Sequence, residues 1–298
     1  MYQNLKISIG LPVFNGEKFL RKRIDSILNQ TYSNFELIIS DNASTDKTRL
    51  ICEEYTRKDS RIKYFRQKKN MGATWNWNFV LKQAKCRYFF WAMVDDLINA
   101  QFLEKNLEFL LTKSNYVASV SKLELFGEET DYVKINSYDG IFKKNWKKIR
   151  RHFRKTNISS FTGIYEKKIK DYLKKDKLNV CTFAIFKTNV LRKCLIDKKF
   201  VGNDKAMILK VLKYGDINVI DQILMYKYDG GTSTSIINFA RKFNDGIFEI
   251  VFPSSPFTRW FFKEFGLRLF LKNIDHFIFI NLMGTLNVIL DLIRRNMK

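Results

Sequence analysis

The fold is decided near the start of the chain, where residues 7–46 read ISIGLPVFNGEKFLRKRIDSILNQTYSNFELIISDNASTD. Two short apolar runs, Ile7–Leu11 and Glu36–Ser40, are separated by a helical pattern over Lys18–Leu28. Turn-forming residues follow each apolar run, at Pro12 to Glu17 and at Asp41 to Asp46. A strand, a helix and a second strand in this order predict a βαβ unit, whose strands lie parallel in one sheet.

The same alternation of short apolar runs and helical patterns continues to about Phe126. It predicts further strands at Ile62–Phe65, Tyr88–Val94 and Tyr116–Leu125, and further helices at Asp46–Lys58, Ala73–Ala84 and Gln101–Leu111. We therefore expect an α/β fold with a mainly parallel sheet flanked by helices. Ligands of open sheets bind beyond the carboxyl ends of the strands. The candidate segments are Pro12 to Glu17, Asp41 to Asp46, Arg66 to Gly72, and Asp95 with Asp96.

The pattern changes after Gly127. A loop leads to a basic helical stretch, Lys143 to Lys155, and residues 161–230 return to mixed α/β with a helix near Lys205–Lys213 and a strand near Ile223–Tyr228. From Ile236 the chain is helical in pattern and rich in Phe, Leu and Ile. We predict a main domain at residues 1–235, made of halves 1–126 and 127–235, followed by a helical region at 236–298.

The charge of the chain is large and unevenly distributed. Its 298 residues include 53 Lys and Arg against 30 Asp and Glu, a net charge of +23. Residues 1–139 have 21 basic and 17 acidic side chains (net +4), residues 140–215 have 22 and 5 (net +17), and residues 216–298 have 10 and 8 (net +2). A block as basic as the middle one attracts phosphate, as nucleic acid, anionic lipid or a diphosphate-bearing substrate. The 46% apolar content excludes disorder as the state of the whole chain.

The sequence shows little sign of a zinc site, a secretory signal or a membrane-spanning helix. The chain has no C-x-x-C pair and only two histidines, which argues against a zinc site and favours a reducing compartment. No long apolar stretch follows a basic segment at Met1 to Lys6, so we expect no secretory signal. The apolar segment Phe277 to Ile293 is interrupted by Asn and Asp, which favours an amphipathic helix over a membrane-spanning one.

Adjacent carboxylates end the strand that reads Tyr88-Phe89-Phe90-Trp91-Ala92-Met93-Val94-Asp95-Asp96. Such a pair repels itself unless a cation or hydrogen-bond donors lie close by. Hard oxygen ligands at this position suit Mg²⁺ or Mn²⁺, which in turn holds a diphosphate. The alternative is that Asp96 caps the helix that follows.

Two other acidic segments are candidates for chemistry. Asp41 follows a strand in Asp41-Asn42-Ala43-Ser44-Thr45-Asp46 and can accept hydrogen bonds from a base or ribose. The alternative for this segment is a polar turn in which Asp46 caps the next helix. Asp204, in Gly202-Asn203-Asp204, begins a helical stretch, and capping is its alternative as well.

Taken in order, these motifs resemble the opening of the family 2 glycosyltransferases. The series runs through Gly10-Leu11-Pro12-Val13-Phe14-Asn15-Gly16-Glu17, Ser26-Ile27-Leu28-Asn29-Gln30-Thr31-Tyr32, Asp41 to Asp46, Asn70-Met71-Gly72 with Asn76-Trp77-Asn78, and Asp95-Asp96. The resemblance covers residues 5–125 well and becomes thinner up to Asn203-Asp204. A Rossmann dehydrogenase is disfavoured because no G-x-G-x-x-G follows the first strand.

The resemblance implies a GT-A fold, a nucleotide-sugar donor, commonly a UDP-sugar, Mn²⁺ or Mg²⁺ as cofactor, and inversion at the anomeric carbon. It assigns Pro12, Phe14, Glu17, Asn70 and Gly72 to nucleotide binding. By the same resemblance Asp41 contacts the base, Asp95 lies near the ribose, Asp96 binds the metal and Asp204 is the catalytic base.

The chain departs from the family's pattern at three places. Met93 stands where many members have a further Asp, which leaves metal binding to Asp96 almost alone. Trp77 replaces a frequent Arg, and Asp229-Gly230-Gly231 replaces a segment that often contains His.

The basic stretch has an apolar side, because Trp146, Ile149 and Phe153 recur at helical spacing. The basic stretch and the aromatic segment Phe257 to Phe270 together indicate a peripheral enzyme on the inner face of the cell membrane. The acceptor that we expect there is a lipid-linked or surface glycan, such as capsule or lipooligosaccharide. The alternative for both segments is structural: a solvated helix for the first and a helix completing the core for the second.

We therefore predict a metal-dependent glycosyltransferase of the hexosyltransferase type, which binds no nucleic acid. A sugar-phosphate nucleotidyltransferase is the nearest alternative, although Pro12 to Glu17 lacks the glycines and the Arg of its phosphate loop. A basic nucleic-acid-binding protein is the more distant alternative, since it leaves the acidic motifs unexplained.

Overall fold

The computed structural model describes residues 5–127, 158–230, 240–241 and 246–296. The described strands form one sheet of eight, in the order β3-β2-β1-β4-β7-β6-β8-β5. Their bounds are β1 (Ile7–Val13), β2 (Phe35–Asp41), β3 (Ile62–Arg66), β4 (Tyr88–Trp91), β5 (Leu97–Ile98), β6 (Tyr116–Phe126), β7 (Ile185–Lys187) and β8 (Asp216–Tyr228).

Helices flank this sheet. Their bounds are α1 (Glu17–Leu28), α2 (Thr48–Lys58), α3 (Ala73–Gln83), α4 (Phe102–Thr112), α5 (Tyr165–Lys175), α6 (Thr188–Cys194), α7 (Asn203–Val211), α8 (Ile247–Val251), α9 (Ser255–Leu271) and α10 (Ile274–Asn296), with a 3₁₀ turn at Val180–Phe183. The basic stretch Lys143 to Lys155, predicted as a helix, lies outside the described residues.

The sheet is mainly parallel, as predicted. Strands β3, β2, β1 and β4 pair in parallel, and so do β6 and β8. The short strand β7 lies antiparallel between β4 and β6, and β5 pairs antiparallel with β8 at the edge. Strand β4 is shorter than predicted and ends at Trp91, so that residues 92–96 form a loop.

The core lies on both faces of the parallel strands. Every residue of β1 and β2 is buried, which suits strands covered by helices on two sides. Helix α3 packs so closely on β1 that a Cβ at Gly10 would lie 2.7 Å from side-chain atoms of both Phe89 and Val80. The contact between β1, β4 and α3 therefore leaves no room for a side chain at Gly10.

The C-terminal helices both complete the core and expose apolar surface. Phe257 and Phe261 of α9 are buried with Phe277 of α10, and the rings of Phe261 and Phe277 lie 4.7 Å apart between centroids. The outer side of α10 is exposed. We call it the apolar face of α10; its side chains are 44–66% exposed and are Ile278, Phe279, Leu282, Leu286, Ile289 and Leu292. Within the described part of the chain, no helix has the length and apolar character needed to cross a membrane.

Candidate active site

Four parallel strands end at the same edge of the sheet. β1, β2, β3 and β4 end at Val13, Asp41, Arg66 and Trp91. The loops that follow, residues 14–16, 42–47, 67–72 and 92–96, contain or adjoin most of the candidate residues. The sequence thus predicted correctly which segments meet at this edge.

The loops after β1 and β2 are joined by hydrogen bonds. The Asn15 N–H donates to Ser44 Oγ at 2.9 Å, and the Thr45 N–H donates to Asn15 Oδ1 at 2.9 Å. The Gly16 N–H donates to Thr48 Oγ1 at 2.8 Å. Since these bonds connect loops about 30 residues apart in sequence, they fix the two loops as one unit.

Glu17 belongs to this junction. Its Oε2 accepts a hydrogen bond from the Lys47 N–H at 2.9 Å, while its own N–H donates to Asp46 Oδ2 at 3.0 Å. Asp46 Oδ1 also accepts from the Thr48 N–H at 2.9 Å, at the start of α2. Asp46 therefore accepts from the first N–H of α2, although the N-cap position is Lys47, which makes no side-chain cap. The contact observed for Glu17 is with the neighbouring loop.

Asp41 is completely buried at the end of β2. Its Oδ1 accepts from the Ser44 N–H at 2.8 Å, and its Oδ2 accepts from the Tyr64 hydroxyl at 2.9 Å. The guanidinium of Arg66 lies 3.5 Å from Oδ2. Burial, together with the hydrogen bond to Asp41, raises the pKa of Tyr64 well above its usual value, which keeps its hydroxyl protonated as a donor.

Asn42, the next residue, holds the loop that follows β3. Its Nδ2 donates to Asn70 Oδ1 at 2.8 Å and to the Gly72 carbonyl at 3.2 Å, and its Oδ1 accepts from the Met71 N–H at 2.9 Å. Gly72 has φ of 87° and ψ of 160°, a conformation that a side chain disfavours strongly. These contacts explain why the motif Asn70-Met71-Gly72 accompanies Asp41-Asn42.

A cleft of about 220 Å³ opens where these loops meet. Its lining consists of Pro12, Val13, Phe14, Asn42, Asn70, Gly72, Ala73, Asn76 and Trp77. Four predicted nucleotide-binding residues are therefore brought together here: Pro12, Phe14, Asn70 and Gly72. The prediction omitted Asn42, Asn76 and Trp77, although all three lie in its motifs. A second cavity, of about 450 Å³, shares Gly72 and Ala73 with the cleft.

The carboxylates of Asp95 and Asp96 lie in the loop after β4. Asp96 is only 2% exposed, and its Oδ1 accepts from the Tyr228 N–H of β8 at 2.9 Å. Helix α4 begins at Phe102 with Gln101 at its N-cap, so the interpretation of Asp96 as a helix cap is wrong. Burial raises the pKa of both carboxyls, and the charge of Asp95 raises that of Asp96 further.

Two cations act on this carboxylate pair. Lys227 and Arg23 each lower the pKa of Asp95 and of Asp96. Lys227 precedes Tyr228 in β8, and Arg23 lies on the buried side of α1 with 0% exposure. Neither cation was among the predicted site residues, because the sequence does not show that an Arg in the pattern Arg21-Lys22-Arg23 is buried.

Asp204 is linked to Lys227 by contacts through residues 178 and 179, and it lines neither of the two cavities. The Lys227 ammonium donates to the Leu178 carbonyl at 3.1 Å. The next residue, Asn179, has a left-handed backbone with φ of 56° and donates from Nδ2 to Asp204 Oδ2 at 2.7 Å. Asp204 lies in the first turn of α7, after Gly202 at the N-cap, which makes no side-chain cap. The Asp204 carboxylate is thus oriented by Asn179.

A divalent ion fits the donor chemistry of the pair. Carboxylate oxygens are its preferred ligands, and a cation relieves the repulsion that raises the pKa of Asp96. Among the residues described, no cluster of three or more His, Cys, Asp or Glu side chains is placed to hold a metal. The remaining ligands of an ion at Asp96 would therefore be atoms other than those of described His, Cys, Asp and Glu side chains.

Comparison with known proteins assigns the chain to a family. Residues 8–194 match the model of glycosyl transferase family 2. The chain belongs to this family. The predicted resemblance is confirmed, and the two alternatives, a nucleotidyltransferase and a nucleic-acid-binding protein, gain no support. The matched span includes Asp41, Asp95 and Asp96 and ends before Asp204.

Curated relatives match parts of the chain. An uncharacterized glycosyltransferase of Haemophilus influenzae is 42% identical over 105 residues, which are 35% of this chain and 42% of the relative. The minor teichoic acid biosynthesis protein GgaB of Bacillus subtilis is 33% identical over 127 residues, 42% of this chain and 14% of GgaB. The aligned segment thus spans less than half the length of these relatives.

Solved structures match most of the chain. TarS 1-349 of S. aureus in complex with UDP-GlcNAc has a TM-score of 0.58 at 17% identity, covering 88% of this chain and 74% of that one. The mannosyltransferase PcManGT of Pyrobaculum calidifontis, in complex with GDP-Man and Mn²⁺, has a TM-score of 0.60 at 11% identity, covering 98% and 76%. These likenesses confirm the predicted GT-A fold.

Proposed function

We propose that the protein moves a sugar from a nucleotide-sugar donor, a UDP-sugar, to a hydroxyl of a lipid-linked or surface glycan, with inversion at the anomeric carbon. The observation that carries this proposal is the convergence of three loops on one cleft at the edge of the sheet where β4 also ends, five residues before Asp96. Membership of glycosyl transferase family 2 supports it, as does the fold shared with the UDP-GlcNAc complex of TarS.

The donor's nucleoside occupies the cleft in this proposal. Trp77 and Phe14 offer aromatic surface to the base, and the exposed amide of Asn70 offers polar contacts to the ribose. Asp41 does not line the cleft. It is buried, and its hydrogen bonds to Ser44 and Tyr64 hold the loop that carries Asn42 in place. A direct contact between Asp41 and the base requires the loop to open.

The diphosphate lies toward Asp95 and Asp96. The residues that would hold Mn²⁺ or Mg²⁺ are Asp96 with the adjacent Asp95. A bound ion would supply Lewis-acid stabilisation of the charge on the departing nucleoside diphosphate. Lys227, next to the same carboxylates, adds a fixed positive charge for the diphosphate.

Asp204 is the proposed catalytic base. Its carboxylate takes the proton of the acceptor hydroxyl as that oxygen attacks the anomeric carbon from the side opposite the leaving diphosphate. Asn179 holds the carboxylate by donating to Oδ2. A single displacement that uses one base produces inversion. A general base of this kind accelerates a reaction by a factor of about 10²–10⁴.

The acceptor is a glycan at an anionic membrane surface. The relative GgaB bears the name of a teichoic acid biosynthesis protein, which supports a surface polymer as the acceptor class. The apolar face of α10 and the +17 block at residues 140–215 favour a peripheral enzyme on the inner face of the cell membrane.

The experiment is a donor screen that measures released nucleoside diphosphate, with and without Mn²⁺. We expect turnover with a UDP-sugar, and a loss of about 10²-fold or more in Asp96→Asn and Asp204→Asn. Both variants should remain folded, because an Asn side-chain oxygen can still accept the hydrogen bonds from Tyr228 or Asn179.

Asp221→Asn is the matched control, since its side chain is 87% exposed and paired with Lys122. It should retain full turnover. Wild-type rates in Asp96→Asn and Asp204→Asn would overturn the site, and turnover with a sugar phosphate and a nucleoside triphosphate instead would overturn the reaction class.

A further inference from the structure

The second cavity, of about 450 Å³, lies along one side of α3, and we call it the α3 cavity. It is about twice as large as the cleft proposed for the nucleoside and shares only Gly72 and Ala73 with it. Val80 and Leu81 are buried on the other side of the helix. The residues of α3 beyond its first turn that line the cavity recur at helical spacing and are Trp75, Asn78, Phe79 and Lys82.

The indole of Trp75 is an aromatic wall of the α3 cavity. Its ring stacks on Phe79 with centroids 5.1 Å apart and planes at 21°. Phe79 in turn packs edge-on against Phe65 of β3 at 5.6 Å. Trp75 is nevertheless only half-buried. The face of an aromatic ring is partially negative and attracts polarised C–H groups. Since one face of a sugar ring presents such C–H groups, the wall suits a sugar.

The loop between α6 and α7, residues 195–202, supplies another wall. Helix α6 is tied to the C-terminal end of α3, because Arg192 donates a hydrogen bond to the Ala84 carbonyl. Phe200 anchors the loop in the core with 5% exposure. Asp197 and Lys199 of the same loop are exposed and line the cavity. The cavity therefore lies between two elements that are held against each other.

The charged groups of the α3 cavity suit an anionic sugar. Lys82 of α3 and Lys199 of the loop bring two ammonium groups to one cavity, and Asp197 adds a carboxylate. Within the described ranges, no salt bridge involves any of these three side chains. Ammonium groups bind phosphate or carboxylate, whereas a carboxylate accepts hydrogen bonds from sugar hydroxyls.

The position of the cavity favours the acceptor over the donor. Neither Asp96 nor Asp204 lines it, so a sugar bound here is not the one that reacts. Residues 140–215, which include Lys199, have a net charge of +17 and attract an acidic polymer.

We propose that the α3 cavity binds an acidic sugar, one with a phosphate or carboxylate group, in a part of the acceptor glycan away from the reacting hydroxyl. The sugar ring lies on Trp75, and its anionic group contacts Lys82 and Lys199. The assignment of this sugar to the acceptor rests on the proposed function. The binding of an acidic sugar in the cavity does not depend on it.

The first test measures the binding of glucose 6-phosphate, glucuronate and glucose to the full chain by saturation-transfer difference NMR, without donor or metal. We expect at least one of the two acidic sugars to bind about tenfold or more tightly than glucose, because charge-assisted hydrogen bonds are added. The tighter of the two identifies phosphate or carboxylate as the anionic group. Equal affinity for all three sugars, or no binding of either acidic sugar, would overturn the proposal.

The second test places the binding in the cavity. We expect Lys82→Gln with Lys199→Gln to weaken binding of the acidic sugar about tenfold or more, and Trp75→Leu to weaken it severalfold. Lys198→Gln is the matched control, since Lys198 is exposed beside Lys199 but does not line the cavity. Wild-type affinity in the double lysine variant, or an equal loss in Lys198→Gln, would overturn the proposal.

UDP separates this inference from the proposed function. We expect the double lysine variant to bind UDP like the wild type, and saturating UDP to leave the affinity for the acidic sugar within about twofold, because the two cavities have different walls. Displacement of the acidic sugar by UDP would assign the cavity to the donor and overturn the proposal. If the acidic sugar binds as described but no UDP-sugar is turned over, the UDP-sugar donor is wrong and the acidic-sugar site remains.

Discussion

At the scale of single residues, Gly10 shows how tightly the floor of the site is packed. A Cβ there would lie 2.7 Å from Phe89 and from Val80, on two different elements. We expect Gly10→Ala to lower the free energy of unfolding by about 1–3 kcal/mol, since β4 and α3 must both shift. Urea denaturation measures this change.

Gly246→Ala is the matched control. Apart from its chain neighbours, no atom of the described residues lies within 4 Å of a Cβ built at Gly246, and its φ of −113° is accessible to alanine. Its free energy of unfolding should stay within about 0.5 kcal/mol of the wild type. Equal losses in the two variants would contradict the packing argument.

Asn42 is the residue on which the shape of the cleft depends most. Its amide forms three hydrogen bonds to residues 70–72. We expect Asn42→Ala to weaken UDP binding about tenfold, because each lost bond is worth about 0.5–1.5 kcal/mol and the loop is released. Isothermal titration calorimetry measures the affinity.

Asn189→Ala provides the comparison, since the exposed Asn189 accepts from the N–H of the adjacent Val190 and lies outside the cleft. UDP affinity should be unchanged in this variant. A similar loss of affinity in both variants, or in neither, would remove Asn42 from the site.

At the scale of elements, α10 makes folding sensitive to acid through His276. Burial lowers the pKa of His276 from 6.5 to about 4 in the folded protein, with a smaller contribution from Lys205. Between pH 6.5 and 4 the unfolded chain binds the proton more readily, so the free energy of unfolding falls as the pH falls. The full effect is at most about 3 kcal/mol.

His276→Gln should remove this part of the pH dependence. Urea unfolding at pH 7 and at pH 4.5 is the measurement, and the difference between the two pH values should be smaller in the variant. An identical difference in both proteins would show that His276 has its ordinary pKa in the folded state.

The elements of residues 1–126 were predictable because their signals are local. Strands β1, β2 and β3 and helices α1 to α4 begin and end within about two residues of the prediction, since apolar periodicity and turn residues lie inside each segment. Strands β5 and β7 were missed. They have only two and three residues, and their partners lie far away in sequence, as for Leu97 with Tyr226.

The parts of the site that were predicted also have local signals, and the parts that were missed depend on residues distant in sequence. Pro12, Asn70 and Gly72 follow strands, so the topology alone brings them together. The hydrogen bond to Asp96 was not predictable, because Tyr228 lies 132 residues away along the chain. The burial of Arg23 was not predictable either, because its sequence context is typical of a surface. Burial of a charge is decided by tertiary packing, which periodicity does not encode.

At the scale of the whole molecule, the proposed membrane surface makes one prediction. The exposed positions 278, 282, 286, 289 and 292 of α10 recur every three or four residues and so lie on one side of the helix. We expect the protein to co-sediment with vesicles containing anionic lipid at low salt, and Leu282→Gln with Leu286→Gln to reduce the bound fraction severalfold.

Leu50→Gln is the control, because Leu50 is 63% exposed but lies on α2 instead of α10. This variant should bind vesicles like the wild type. If the wild type stays in the supernatant, or if the α10 variant sediments unchanged, the peripheral-membrane proposal is wrong.

The position of β6 in the sheet has a consequence for synthesis on the ribosome. Both neighbours of β6, the strands β7 and β8, come later in the chain, and β8 ends at Tyr228, 102 residues after Phe126. At about 5–20 residues per second, the ribosome needs about 5–20 s to produce that length. Strands β1 to β4 can assemble during this time, while the edge of β6 that pairs with β8 waits without its partner. The interval in which this chain is most exposed to aggregation therefore falls in the middle of its translation.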